Sequence, residues 1–382
     1  MRPDRRRTAA LMYGISFLQG LCFYGPVATL YRTAVGVTVS QIALIESVNY
    51  LLCVALEVPL GALCARLGYK KMLVLDCALY FASKLVFWRA AGFGAFLAER
   101  VILAFVMAGF SGCDDAYLYL AAGEENAHRV LGNYNAIGTA GLLCASAVFT
   151  LCFAADYRAA ALATVASYGA AALLALALPE VPMQPEDAAP PAAQLRSIWR
   201  NLRQNPRFGW LLSADVLLTV TGQTVTVFYS QLLYARCGIP VAVMGALYIA
   251  MTLVGLAAGA SYQAARRLGG GFAAAVFALG AAGCLAAAFT RSPAVCVTGV
   301  FALQLAWRLW QPYCAKRKND NVGTGARAVV LSGYSMAENL AVSGLSLVLG
   351  TLADASLTGA LALAGVLCAA GLACMQLEQR RA

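Results

Sequence analysis

The sequence predicts an all-α polytopic membrane protein of twelve transmembrane helices, and three observations lead there. Hydrophobic residues make up 61% of the 382 and charged residues only 12%. A soluble domain carries about 25% charged residues, because a globule needs a polar shell. Apolar stretches of span length recur twelve times, and the basic residues between them fall mostly on one side. The mean hydropathy of +0.71 agrees.

A bilayer core needs about 20 apolar residues per helix. The first candidate, 8–31, follows Arg2, Arg5, Arg6 and Arg7, which suits a retained first helix rather than a cleaved signal. The second, 41–63, stops before Arg66, and the third, 72–91, starts after Lys70 and Lys71. Next come 94–119, then 132–154 behind Arg129, then 158–179. A polar, proline-bearing stretch from Pro179 through Pro190 and Pro191 to Arg207 separates these six from six more. The second set is 208–234, 241–264 ahead of Arg266 and Arg267, 271–290, 294–315 ahead of Lys316, 328–352 behind Arg327, and 357–377 ahead of Arg380. Domains are therefore expected at 1–180 and 207–382, with a cytoplasmic linker at 181–206. Trp199–Arg203 reads either as an amphipathic interfacial helix or as a solvated loop.

Cytoplasmic loops collect lysine and arginine. With both termini inside, 20 of the 28 basic residues fall in the cytoplasm, Lys318 among them, and 5 outside, Arg32 among them. Lys84, Arg100 and Arg308 remain within spans. The expected location is the cell membrane, multi-pass, with cytoplasmic termini. The net charge of +10 then expresses topology and contact with anionic lipid, not nucleic-acid binding.

The halves repeat. Ala65-Arg66-Leu67-Gly68 after the second span is echoed by Ala265-Arg266-Arg267-Leu268-Gly269 after the eighth, and Arg129 by Arg327. Two six-helix halves in the same orientation are one known transporter plan.

Several chemistries lack their residues. The 13 cysteines are scattered singly, and His128, placed in a loop, is the sole histidine. Neither a metal site nor a cofactor is expected. No Ser/His or metal constellation falls within the spans, and no Gly-x-x-x-x-Gly-Lys-Ser/Thr loop appears, so neither an enzyme nor an ATP-driven pump is expected.

Glu57-Val58-Pro59-Leu60-Gly61-Ala62-Leu63-Cys64-Ala65-Arg66-Leu67-Gly68-Tyr69-Lys70-Lys71 resembles the signature between helices two and three of the major facilitator superfamily. Ala65 stands where that family usually has Asp, which removes the carboxylate of the family's gating salt bridge. Arg100 resembles the arginine of the fourth-helix motif, with Leu103 and Ala104 replacing the usual Gln and Gly. Ser111-Gly112-Cys113-Asp114-Asp115-Ala116-Tyr117-Leu118-Tyr119 is similar to a stretch of small prokaryotic members, Leu120 replacing their second Asp. Arg308 with Pro312, and Arg327-Ala328-Val329-Val330-Leu331-Ser332, also look like this group. The likeness covers essentially the whole chain. It implies a monomeric secondary transporter that moves a small organic molecule by alternating access. Glu57, Pro59, Gly61, Arg66, Gly68, Lys70 and Lys71 would form its gating loop, Gly61 permitting close helix approach.

Ionisable groups inside spans are expensive and hence functional candidates. Glu338 and Arg308 read either as a substrate or proton pair or as a structural ion pair. Asp114 and Asp115 cannot both ionise cheaply in low dielectric, which suits a proton-coupling site; the alternative is a helix-end cap. Arg100 would lie within about 60° of their helix face but about 21 Å away. Glu46 and Lys84 are expected to pair. Glu57 and Asp76 would brace the inner loop, Glu99 would sit near the outer surface, and Asp215 would face either a cavity or the inner interface. Phe17, Tyr24, Tyr229 and Trp307 are candidate cavity aromatics. Proton-coupled export of an amphipathic compound is the first reading. Gly138-Thr139-Ala140-Gly141 lacks the proline of antiporters, which leaves nutrient uptake open. A lipid flippase or a non-transporting sensor would share the fold.

Overall fold

An amide buried in hydrocarbon can hydrogen-bond only to other backbone groups, and the chain meets this demand with helix. The computed structural model describes residues 3–110, 112–154, 156–181, 206–320 and 327–380, and no strand occurs among them. The expected linker at 181–206 and its interfacial helix lie almost wholly outside these residues.

The first span is α1, Pro3–Gly20, continued after a tight turn at Gly25–Val27 by Ala28–Ala34. Pro26 in that turn removes a backbone donor and breaks the helix. Then come α2, Val39–Leu67; α3, Tyr69–Arg89; α4, Phe93–Phe110, continued by Cys113–Ala122; α5, Glu124–Val148; and α6, Tyr157–Ala175. The other spans are α7, Pro206–Gln223, continued to Arg236; α8, Val241–Gly255, continued by Ser261–Leu268; α9, Phe272–Phe289; α10, Pro293–Asp320; α11, Arg327–Ala355; and α12, Leu357–Arg380.

Among the described residues, ten segments are long and apolar enough to cross a membrane. One of them, Val241–Phe289, folds as both α8 and α9. The helix α3, with Asp76 and Lys84 in an otherwise apolar stretch, completes twelve.

Helices outrun their apolar stretches. The helix α5 begins at Glu124, so His128 lies on a helix and not in a loop. The helix α10 runs on to Asp320 and takes Lys316, Arg317 and Lys318 with it. Hydropathy marks where lipid lies, and a helix does not have to stop there. The join between α2 and α3 is Gly68 alone, at φ 85°, a conformation that glycine adopts without strain. The expected gating loop is therefore mostly helix.

Two compact units emerge: Met1–Gly36, Val48–Ala188 and Val241–Ala246 in one, and Val37–Ser47, Ala189–Pro240 and Leu247–Ala382 in the other. In the first unit α1 packs on α5 and α6, and α3 packs on α4 and α6. In the second, α9 packs on α10 and α12, and α7 packs on α11 and α12.

Small residues set the closest approaches, as lipid-embedded helices require. A Cβ on Gly20 would stand 3.1 Å from the Cα of Gly141, so α1 and α5 meet backbone to backbone. Neighbouring Gly138 leaves room for Ser16, whose hydroxyl donates to the Tyr134 carbonyl at 2.9 Å. Gly61, expected to play this part, does not: among the described residues no atom lies within 4 Å of its Cβ position.

Gly141→Leu is expected to destabilise the protein by about 1–3 kcal/mol through overpacking. Gly61→Ala, which meets open space within a helix, is expected to leave stability unchanged or to raise it by up to about 1 kcal/mol. Thermal denaturation in detergent separates the two, and equal midpoints for both variants would contradict the packing assignment.

Candidate functional site

In the second unit three charged side chains from three helices converge. Trp310, Cys314 and Lys318 recur at every fourth residue, which puts them on one face of α10. The Lys318 ammonium ion-pairs with Asp215 of α7 and donates to Glu338 Oε2 of α11 at 2.9 Å. The indole N–H of Trp310 donates to the other Asp215 oxygen, Oδ1, at 2.8 Å. Asp215 is only 5% exposed, and the indole ring beside it is fully buried. Next to Lys318, Arg317 pairs with Glu378 of α12 at 2.6 Å.

A cavity of about 330 Å³ opens on this cluster, lined among others by Asp215, Thr219, Gln311, Tyr334, Lys318 and Glu338. Phe208 of α7 closes against the Tyr334 ring, with centroids 4.4 Å apart. Two carboxylates face one ammonium, so the cluster is one negative charge in excess when all three are ionised. In low dielectric that excess is costly, and the cluster is suited to taking up one positive charge.

The expected pairing of Glu338 with Arg308 is replaced by pairing with Lys318. Arg308 lies ten residues before Lys318, about 15 Å along the helix. It stacks on the Trp307 ring at 4.8 Å, and its Nη1 reaches Gln311 Oε1 at 3.5 Å. Lys318 was assigned to a cytoplasmic loop because it follows the apolar stretch. Its spacing from Trp310 and Cys314 was the signal that placed it on the inward face.

The first unit has its own buried charges. Glu99, expected near the outer surface, is enclosed by Arg100 at 3.6 Å and by Arg32 and Lys84 at 3.9 Å each. Arg32 is thus buried with Glu99 and not set in an external loop. Lys84, expected to pair with Glu46, contacts Glu99 and donates to the Tyr24 hydroxyl at 3.1 Å. Tyr24 stacks on Phe87 with centroids 3.9 Å apart, so it belongs to this packed cluster. Asp76, expected to brace the loop, is fully buried, and neither carboxylate oxygen has a hydrogen-bond partner among the described residues.

Asp114 and Asp115 occupy the first turn of the segment that restarts after Gly112, itself at φ 78°. This break removes the straight-helix relation between them and Arg100. Asp114 accepts from the Asp115 N–H at 2.9 Å and from the Tyr134 hydroxyl at 3.3 Å, and Asp115 is exposed. Carboxylates in a first helical turn complement the helix dipole. Among the other candidates, Tyr229 and Trp307 are buried and Phe17 half-buried; Glu57, Pro59, Gly61, Arg66 and Lys71 are exposed, and Gly68 and Lys70 partly so.

Residues 9–345 match the Major Facilitator Superfamily. A bacterial homolog of the human lysosomal transporter Spinster superposes with a TM-score of 0.81 at 14% identity, over 100% of this chain and 98% of that one. The nucleoside transporter NupG gives 0.77 at 15%, covering 98% of each chain. The human organic anion transporter MFSD10 (TETRAN) gives 0.62 at 19%, over 98% of this chain and 100% of that one. At such identities the likeness is one of fold. No protein of curated function matches.

Lys318→Met is expected to cost about 3 kcal/mol, because it strands two carboxylates on the cavity wall. Adding Glu338→Gln should restore part of that loss, a positive coupling read from a double-mutant cycle of thermal stability. Strict additivity of the two substitutions would mean that the side chains do not interact.

Proposed function

Because the chain belongs to the major facilitator superfamily, we propose that it is a proton-coupled secondary transporter of a small organic molecule, with the proton exchanged at Asp215, Lys318 and Glu338. The observation that carries this reading is the excess of one carboxylate over one ammonium on the wall of a cavity. A proton on Glu338 or Asp215 cancels the excess charge. It also weakens the hold on Lys318, so loading the proton changes how α7, α10 and α11 are tied together. Proton binding thereby acts on a packed, switchable element, which is what coupling requires.

Asp114 and Asp115 are a weaker choice for the carrier, since their charge is already matched by a helix start and a tyrosine hydroxyl. The two six-helix bundles, 1–180 and 207–382, would alternate access in the manner of the family. Export of an amphipathic compound is the direction we assign, and the aromatic side chains of Trp310 and Tyr334 beside the charged site support a ligand of that kind. With Lys318 and Arg32 taken out of the loop sets of 20 and 5, the 19 basic residues against 4 that remain support cytoplasmic termini in the cell membrane.

In liposomes holding a pH dye, wild type is expected to give proton flux that depends on an added organic compound. Glu338→Gln should abolish the proton flux and leave exchange of the compound across the membrane intact. Full coupled flux in both Glu338→Gln and Asp215→Asn would remove the proton from this site. Topology is open to a separate check: alkaline phosphatase fused after Ala382 should be inactive, and activity there would reverse the assigned orientation.

A further inference from the structure

Charged groups inside a membrane are kept only where something pairs them. Lys84 and Arg100 contact Glu99, and Lys318 contacts Asp215 and Glu338. Arg308 differs: among the described residues no carboxylate comes within ion-pair distance of its guanidinium. The hydrogen bond it makes, to Gln311 at 3.5 Å, is long and goes to a neutral side chain. Among the described residues its buried Nε has no acceptor.

The surroundings hold unpartnered polar atoms as well. On α10, Gln304 one turn before Arg308 and Trp307 next to it are only 4% and 7% exposed, yet among the described residues Gln304 Oε1 and Trp307 Nε1 have no hydrogen-bond partners. Trp307 is fixed between Gly222 of α7, whose Cβ position its ring occupies, and the guanidinium stacked on it. On the α8 side, a Cβ at Gly255 would be in van der Waals contact with Arg308 Nε, at 3.6 Å. The guanidinium is thus held in place on a rigid support while its charge goes unmatched.

Gln311, which accepts from Arg308, also lines the cavity that opens on Lys318. One side chain therefore separates the unmatched cation from space large enough for a small ligand. A planar guanidinium with free N–H edges is the group best shaped to take a carboxylate or phosphate oxyanion through two parallel hydrogen bonds. The indole N–H of Trp307 is a further donor nearby.

We propose that Arg308 receives the anionic group of the transported molecule, so that the substrate is a small organic anion, carboxylate or phosphate. This rests on the transport reading above and narrows it. Arg308 supplies the positive charge that the substrate needs in low dielectric, while the one carboxylate in excess beside Lys318 is the group that the transport reading gives to the proton.

The test uses purified protein in detergent at one pH, with four probes that share a benzene ring and differ in charge: benzoate, phenyl phosphate, benzyl alcohol and benzyltrimethylammonium. Binding is read from tryptophan fluorescence and from the shift of the thermal midpoint. Benzoate or phenyl phosphate should bind saturably, and which of them binds tells carboxylate from phosphate. Arg308→Gln should weaken that binding by about tenfold or more, with a partial loss in Arg308→Lys, which keeps the charge but not the fork. The neutral and cationic probes should not bind. Absence of saturable binding by both anions, equal binding in Arg308→Gln, or preference for the cation would each overturn the proposal. If Arg308→Gln fails to fold, undiminished affinity in Arg308→Lys would do the same. Equilibrium binding needs no proton movement. Anion binding without proton flux would sink the coupling and leave Arg308 in its role, whereas flux driven by an organic cation would do the reverse.

Discussion

Hydrocarbon neither donates nor accepts hydrogen bonds and stabilises no charge, so a polar group carried into it is costly until something matches it. The rest of the architecture follows from that constraint. Backbone amides are matched by helix. Helices that cannot be driven together by water approach through glycine, as Gly20 and Gly141 do. Side-chain charges are drawn into clusters: Glu99 with its three cations in one unit, and Lys318 with its two carboxylates in the other.

The fold could be read from the chain because its signal is coarse. Twenty apolar residues in a row announce a span whatever their order, and twelve such runs were visible. What could not be read depends on direction around a helix and on continuation past the lipid. Lys318 looked like part of a loop because hydropathy ends near 315, although the backbone goes on coiling to Asp320. Glu338 seemed to belong with Arg308 because both lie within apolar runs, yet the choice of partner is made by azimuth and reach. A lysine stem is long enough to bring its charge back into the bundle from the helix end. The motif around Gly61 points to a close contact there, while the close contacts are made by Gly20 and by Gly138 and Gly141, whose stretch stands out in the sequence only for its missing antiporter proline.

Breaks within spans were legible only in part. Gly112 and Pro26 are residues that interrupt helices, and they do so here. The wide turns at Phe149–Phe153 and Thr224–Tyr229 have no such marker: neither holds a glycine or a proline, and each lies inside a span. The break at Gly112 changes the meaning of Asp114 and Asp115. They look like a buried carboxylate pair in an unbroken span, and in the folded chain they are the opening charges of a new helical segment.

The end of α10 carries one more consequence, a mechanical one. Two adjacent residues, Arg317 and Lys318, clasp Glu378 of α12, Asp215 of α7 and Glu338 of α11. Four helices are thereby laced through one helical turn, like spokes on a hub. A displacement of that turn loads all three neighbours at once, and none can shift without straining the others. The second unit is thus cross-linked at the very charges whose balance a bound ion or ligand would alter. A change of a single charge there is felt as torque across the bundle, where the same change on a loosely tethered loop would dissipate locally.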